Sequence, residues 1–310
     1  TLPDTFGATA PKGNYADMRT DGWEASLSWR DSHKVAGKTL SYNIKVAVWD
    51  NTSKITRYTA KTGTLPTNYS INYYEGMTLG EMWGYKCDGL FQSDEEAQTW
   101  ANYSKFTNRS ATWQAGDPRY LDLNGDGYVN NGNNTIYDHG DLVKIGNTTP
   151  RYSYSIQGGV RWNGIGISMM WQGVGKRDWY PAKESGYFWG QYGRPYSMAL
   201  PWHNSDRWSP TNRGAYWPRL VGYSASDSGL ILAQPNTRYV QDASYIRLKN
   251  LTIDYNFPKE LVNKIGLQAL KIYVSGENLL TFSPLKKYAK NYDPEGIYAG
   301  DADYGTNKFG

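Results

Sequence analysis

The segment DLNGDGYVNN has the spacing of the first half of a calcium-binding loop. Asp122, Asn124 and Asp126 stand at the first, third and fifth positions, and Gly127 follows at the sixth. Side-chain oxygens at such positions bind Ca²⁺, the glycine permits a sharp turn, and a backbone carbonyl, here that of Tyr128, supplies the seventh position. The pattern predicts a metal-ligand set of Asp122, Asn124, Asp126 and Tyr128.

The rest of this loop departs from an EF-hand. Its twelfth position, where that motif has a bidentate glutamate, is Asn133, and Gly/Pro-rich and Asn-rich stretches replace the flanking helices. An intracellular calcium sensor is therefore excluded. Two interpretations stay open: Asp138 or Asp141 completes a structural calcium or magnesium site in the 122–141 loop, or Asx side chains cap a tight turn without a metal.

A second set of candidate residues lies in the long aromatic segment 175–237. Flat rings mixed with hydrogen-bonding side chains suit the apolar faces and hydroxyl rims of sugars. The candidates for substrate binding are Trp179, Tyr187, Trp189, Tyr192, Trp202 and Trp208. As alternatives, such rings form the segment's own small core or contact a partner protein, because aromatic residues are enriched at protein interfaces.

The sequence indicates neither catalysis nor nucleic-acid binding. His33, His139 and His203 are scattered, and no hydrolase, phosphate-loop or metalloprotease motif is present. Cys87 is the single cysteine, which excludes a disulfide framework and a thiolate metal cluster. The net charge of +4 comes without the dense Lys/Arg run that phosphate tracking requires. We expect a protein that is not an enzyme and binds no nucleic acid.

Alternation of apolar and polar residues predicts the elements that carry these segments. In WEASLSW, the apolar residues Trp23, Leu27 and Trp29 alternate with polar ones. The segments RYSYSIQGGVRW and IGISMMW flank Asn163 and Gly164, which form a typical hairpin turn. Strands are predicted near residues 22–31, 39–50, 151–162, 165–174, 245–257 and 270–280.

The links between these strands alternate between short and long. Compact soluble domains rarely contain long irregular connections, whereas transmembrane β-barrels combine short periplasmic turns with long external loops. The sequence therefore predicts an all-β fold, an antiparallel transmembrane β-barrel segment with long extracellular loops. A large β-sandwich with decorated loops is the alternative. The predicted long loops lie near residues 50–150, 175–237 and 281–310.

Several segments together resemble the SusC/RagA-type TonB-dependent outer-membrane transporters of Bacteroidetes. The longest is RYVQDASYIRLKNLTIDYNFPKELVNKIGLQALKIYVSGENLLTF. It is supported by GDLVKIGNTTPRYSYSI, WQGVGKRDWYP, EGMTLGEMWGYKCDGLFQSDEEA and MRTDGWEASLSWRD, in the family's order. The resemblance implies that residues 1–310 are the C-terminal portion of a large plugged barrel, with the plug domain and the final strand absent from this sequence.

The resemblance also implies a function and partners. It implies import of oligomeric nutrients, oligosaccharides first, across the bacterial outer membrane together with a SusD-like surface lipoprotein. TonB would supply energy through the absent N-terminal part, and the strands would contact membrane lipid on one face and the lumen on the other. A peptide importer of the same family and a secreted glycan-binding or adhesin β-module are the alternatives.

Overall fold

The computed structural model describes residues 14–60, 62–66, 72–100, 113–183, 185–193, 199–221, 231–232 and 234–297. The strands in these ranges are β1 (Ala16–Val35), β2 (Lys38–Tyr58), β3 (Glu81–Tyr85), β4 (Cys87–Leu90), β5 (Pro118–Tyr120), β6 (Leu142–Asn147), β7 (Arg151–Trp162), β8 (Ile165–Lys176), β9 (Asp178–Trp179), β10 (Gln241–Asp242), β11 (Tyr245–Asn256) and β12 (Lys271–Phe282). The helices are short: α1 (Asp94–Thr99), α2 (Gly186–Trp189), α3 (Pro201–Ser205) and α4 (Lys259–Val262). Tight 3-10 turns lie at Gly190–Tyr192, Asn263–Ile265 and Pro284–Lys287. No helix in the described ranges is long and apolar enough to cross a membrane.

The long strands form one antiparallel sheet in the order β1-β2-β7-β8-β11-β12, which confirms the predicted architecture. Strands β1 and β2 have 20 and 21 residues and extend well beyond the predicted bounds. Polar residues such as Asn51 and Ser53 break the apolar alternation there, yet they stay paired with Gly22 and Thr20. The sequence pattern misses this extension because a backbone ladder needs no apolar side chains.

Short and long connections leave from opposite ends of the sheet. Residues 36–37 and 163–164 form two-residue hairpins, and all four have positive φ angles between 46° and 88°. Such angles define the turn whose twist matches that of the flanking strands. The third short connection, 257–270, contains α4, whereas the long connections 59–150 and 177–244 leave from the other end.

The sheet has one apolar face and one polar face. Cross-strand partners share a face, and successive side chains along a strand point to opposite faces. The apolar face carries Leu27, Trp29, Ile44, Val160, Ile167, Met169, Ile253 and Val274. The polar face carries Ser28, Arg30, Lys45, Gln157, Ser168, Thr252 and Ser275. Leu27 is 74% exposed and Val274 is 77% exposed, so the described chain leaves much of the apolar face uncovered.

The buried core lies in the long connections and not behind the sheet. We call the described residues of 59–150, 177–244 and 283–297 the cap. Short two-stranded sheets, β3–β6, β4–β5 and β9–β10, run through it. Its largest fully buried side chains are Trp189, Trp217, Tyr85, Tyr120, Tyr192, Tyr239, Phe91, Phe188, Leu65, Leu285 and Val129. The long connections therefore fold as one packed unit, and residues 298–310 of the third predicted loop lie outside the described residues.

Candidate functional site

Half of the predicted substrate-binding rings are buried in the cap. Trp179 is 2% exposed, and Trp189 and Tyr192 are each 1% exposed. Trp179 contacts Tyr292, with 4.8 Å between ring centroids, and Trp189 and Tyr192 pack against Trp217. In this structure these three rings are covered and pack in the core of their own segment, as the alternative describes. Their contact with a sugar stays a prediction.

Trp217 is the centre of this core. It is fully buried, and its neighbours surround it in edge-to-face and stacked arrangements. The centroid distances are 4.6 Å to His203, 5.0 Å to Tyr216, 5.1 Å to Phe188, 5.7 Å to Tyr192, 5.8 Å to Tyr239 and 6.2 Å to Trp189. Each favourable aromatic pair adds about 0.5–1.5 kcal/mol beyond the burial of its area. The aromatic cluster therefore holds together a cap whose strands and helices are short.

The other predicted rings, Tyr187, Trp202 and Trp208, keep part of their surface open. Tyr187 and Trp202 pack at the edge of the core. Trp208 covers Gly116, where an added Cβ atom would lie 2.5 Å from the indole ring. The structure does not assemble the six predicted rings into one binding surface. Contact of these three rings with a ligand stays a prediction.

Sequence reasoning missed a partly exposed group that we call the basic-aromatic patch: Trp202, Tyr216, Lys287, Tyr288 and Lys290. Tyr216 and Tyr288 stack with 3.6 Å between centroids and 6° between planes. The Nζ of Lys287 lies 4.9 Å from the Tyr288 centroid, and the Nζ of Lys290 lies 5.7 Å from that of Trp202. The lysines come after the last strand, so no local pattern joins them to the aromatic segment. The run KKYAK is the signal that was available.

Ion pairs tie the segment 283–297, which carries this patch, to the sheet. Arg247, on the polar face of β11, donates hydrogen bonds to the carboxylates of Asp293 and Glu295. Lys249 donates to both carboxylate oxygens of Glu295 at 3.0 Å. Because Arg247 lies near the start of β11, the segment is held at the end of the sheet from which the long connections leave.

A buried ion pair lies inside the cap. Asp117 is fully buried, and its two carboxylate oxygens accept hydrogen bonds from Arg219 at 2.5 and 3.1 Å. The amide N–H of Gln114 also donates to Asp117, at 2.9 Å. Burial raises the pKa of Asp117 above its usual value, and the Arg219 guanidinium opposes that shift. The carboxylate depends on its arginine, because an unpaired buried charge is costly.

The buried histidine of the aromatic segment has a packing role. His203 is 4% exposed. The N–H of Leu200 donates to its Nδ1 at 3.3 Å, which places the ring proton on Nε2, and Nε2 donates to the carbonyl of Phe188 at 2.7 Å. Burial lowers the pKa of His203 below its usual value. The neutral ring thereby joins α3 to α2.

The predicted metal loop is held in its conformation by hydrogen bonds between its own side chains and its own backbone. The carboxylate oxygens of Asp122 accept from the amide N–H groups of Gly125 at 2.7 Å and Gly127 at 2.8 Å. The carboxylate of Asp126 accepts from the N–H of Tyr128 at 2.8 Å. These contacts are those of the Asx-turn alternative.

The side-chain oxygens of Asn124, Asp138 and Asp141, the other potential metal ligands of this loop, also accept hydrogen bonds from the loop itself. Asn124 accepts from the amide two residues further on at 3.0 Å, and Asp138 accepts from Asn133 at 2.6 Å. Asp141 is fully buried and accepts from the amides of Leu123 and Asn130 at 2.7 and 2.8 Å. Within the described ranges, no three His, Cys, Asp or Glu side chains converge in a metal-binding group. Calcium or magnesium stays a prediction for this loop.

The apolar face of the sheet is suited to contact lipid. Besides aliphatic side chains, this face exposes two tryptophans. Trp23 lies towards the end of the sheet from which the long connections leave, and Trp162 lies next to a hairpin at the opposite end. Tryptophan is enriched at both borders of an outward-facing apolar band in outer-membrane proteins. A sheet with this face, a polar opposite face, hairpins at one end and a folded cap at the other is typical of a segment of an outer-membrane protein.

Comparisons with known proteins agree with this class. No protein-family model matches the chain. The chain is 25% identical to TonB-dependent receptor P3 of Formosa agariphila over 99% of its length, and 23% identical to TonB-dependent receptor P26 of the same bacterium over 100%. The chain spans 28% of the length of each of these relatives.

Two solved structures share the fold. The RagAB peptide transporter superposes with a TM-score of 0.61 at 17% identity, covering 96% of this chain and 28% of that one. The RagAB peptide importer in its open-open state superposes with a TM-score of 0.62 at 18% identity, covering 92% of this chain and 27% of that one. The predicted resemblance to a SusC/RagA-type TonB-dependent transporter is confirmed. The predicted location in the bacterial outer membrane is confirmed as well, and these relatives are receptors and transporters, not enzymes.

Proposed function

We propose that this chain is part of a TonB-dependent transporter that imports oligomeric nutrients across the outer membrane. The observation that carries the proposal is the two-faced sheet below a folded cap. Lipid contacts the apolar face, and the polar face, with residues such as Lys45, Gln157 and Ser168, lines the path of the cargo. The similarity to TonB-dependent receptors along the whole chain supports the same reading.

In this proposal the cap stands at the extracellular mouth. Short turns of outer-membrane barrels lie on the periplasmic side and long connections lie outside. A SusD-like lipoprotein covers the mouth and captures cargo against the cap. TonB acts from the periplasmic side, through parts of the transporter outside this chain, and its energy admits the cargo. The aromatic core keeps the cap in shape while its surface binds the lipoprotein and the cargo.

Oligosaccharide is the first candidate cargo. The partly open rings of Tyr187, Trp202 and Trp208 support it, because such surfaces suit the faces of sugars. Peptide is the second candidate, and the fold similarity to the RagAB peptide transporter supports it. The uncovered apolar face argues against a secreted adhesin, which would be soluble without detergent.

Mass spectrometry of the ligand released from the full-length protein, purified from native outer membranes, tests the proposal. Hexose ladders assign oligosaccharide import, and peptide masses assign the second candidate. Deletion of the gene should abolish growth on the recovered cargo, and the surface lipoprotein should co-purify in detergent. Recovery of the protein from the aqueous fraction without detergent, or normal growth of the deletion strain, would contradict import.

A further inference from the structure

We propose that the basic-aromatic patch binds carboxylate or sulfate groups of an anionic oligosaccharide. This inference rests on the proposed import function and names the chemical class of its cargo.

The rings of the patch hold positive charges in place. One face of Tyr288 stacks on Tyr216, and the Nζ of Lys287 lies 4.9 Å from the centroid of the same ring. The Nζ of Lys290 lies over the indole of Trp202, 5.7 Å from the ring centroid. A cation over an aromatic ring is attracted by the ring's quadrupole, so each ammonium has a preferred position before any ligand arrives. Tyr288 thus serves to position a charge and has little open face for a sugar.

Within the described residues, neither ammonium group has a carboxylate as its counter-ion. In the part of the chain that the structure describes, neither Lys287 nor Lys290 forms an ion pair with a carboxylate, although both lysines are exposed. The acidic residues of the same segment, Asp293 and Glu295, are engaged by Arg247 on the sheet. Among the described residues, the carboxylates of this segment therefore pair with the sheet, and Lys287 and Lys290 remain without a paired carboxylate on the cap.

The backbone that carries the lysines is fixed. Lys286 donates from its Nζ to the carbonyl oxygens of Lys290 and Tyr292, each at 3.1 Å. Lys287 is the last residue of the 3-10 turn, and Lys290 follows three residues later in the same segment. Two point charges in one segment, each over an aromatic ring, match an oligomer whose anionic groups repeat along its length.

The neighbourhood of Trp202 favours a sugar over a peptide as the source of these anions. Its indole is partly open next to Lys290, so an apolar ring surface adjoins a positive charge. A uronic acid or sulfated sugar presents the complement, an apolar C–H face beside an anionic group.

Calorimetry on the full-length protein in detergent tests this site with three probes of equal length: a chondroitin sulfate hexasaccharide, maltohexaose and hexaglutamate. The wild type should bind the anionic hexasaccharide, more weakly at higher salt because exposed charges are screened. Lys287→Gln combined with Lys290→Gln should weaken this binding about tenfold, the order expected for two solvent-exposed ion pairs. The control Lys259→Gln with Lys264→Gln removes the same charge at the hairpin end and should leave binding unchanged.

The charge-keeping pair Lys287→Arg with Lys290→Arg should retain affinity, which separates loss of charge from loss of folding. The inference is overturned if the anionic hexasaccharide does not bind or maltohexaose binds as tightly. It is also overturned if hexaglutamate binds more tightly, or if patch and control variants lose affinity alike. A neutral oligosaccharide or a peptide recovered from the native protein would refute this site and leave the import proposal standing.

Discussion

Ile167, on the apolar face of β8, offers a direct test of which face contacts lipid. It is paired with Val160 on β7 and with Ile253 on β11. Apolar side chains on this face of β8 run from Ile165 to Trp171, so Ile167 lies inside the band, in the half nearer the hairpin. The backbone N–H and C=O groups of this strand are hydrogen-bonded to neighbouring strands on both sides. A substitution at this position therefore tests how one new side chain interacts with the medium on this face, and it leaves the backbone hydrogen bonds in place.

Ile167→Arg should destabilise the full-length protein in lipid by about 1–3 kcal/mol, between the cost of an arginine at the bilayer midplane and its cost near the interface. That cost lowers the folding equilibrium constant by a factor of about 5 to about 150. The matched control is Ser168→Arg, one residue further along the same strand on the polar face, beside Gly159 and Thr252. There the guanidinium stays in water, and the change in stability should lie within about 0.5 kcal/mol.

The assay is guanidinium unfolding of both variants in lipid vesicles, followed by tryptophan fluorescence. Ile167→Ala accompanies them and measures the loss of the aliphatic side chain alone. The face assignment is refuted if Ile167→Arg is no more costly than Ser168→Arg, or if Ser168→Arg is the more destabilising of the two.

Other predictions concern the cap. Arg219→Ala should cost about 3–5 kcal/mol in unfolding free energy, because Asp117 would stay buried without its cation; an unfolding midpoint equal to that of the exposed control Arg213→Ala would contradict this. The unfolding temperature should fall as pH drops from 7 towards 5, since the lowered pKa of His203 means that the unfolded chain takes up the proton first, below about pH 6.5. His203→Gln should flatten that slope, and an unchanged slope would exclude His203 as its source. Asp141→Ala should cost about 1–3 kcal/mol and speed amide hydrogen exchange in the predicted metal loop, because it leaves buried N–H groups unpaired; exchange as slow as in the wild type would refute its closing role. If calcium binds this loop, EDTA should speed exchange of the same amides, and unaltered exchange would favour the Asx turn alone.

Much of the sheet could be predicted from local patterns. The alternation in β7 and β8 is regular because each strand borders an apolar medium on one side and a polar one on the other. The hairpin at Asn163-Gly164 follows from residues that adopt positive φ at low cost. The outer parts of β1 and β2 could not be predicted, because they are held by backbone pairing and by polar cross-strand contacts such as Arg57 with Asp17, which leave no apolar alternation.

The candidate site was less predictable. Trp189 and Trp202 lie in the same segment and are the same residue type, yet one is buried and the other partly open. Their burial depends on packing against residues elsewhere in the chain, such as Tyr239 and Lys290. The Asp-rich loop was readable as either a metal loop or an Asx turn, because both use the same spacing of oxygen donors.

By itself the sequence determined the two-faced antiparallel sheet, its hairpins and its resemblance to outer-membrane transporters, since these rest on local periodicity, turn chemistry and ordered motifs. Only the tertiary structure decided which aromatic rings are covered and which lysines lie over rings. The physical reason is that these contacts join separate connections: Tyr216 meets Tyr288, and Trp202 meets Lys290, only after the whole sheet has brought its long connections to one end.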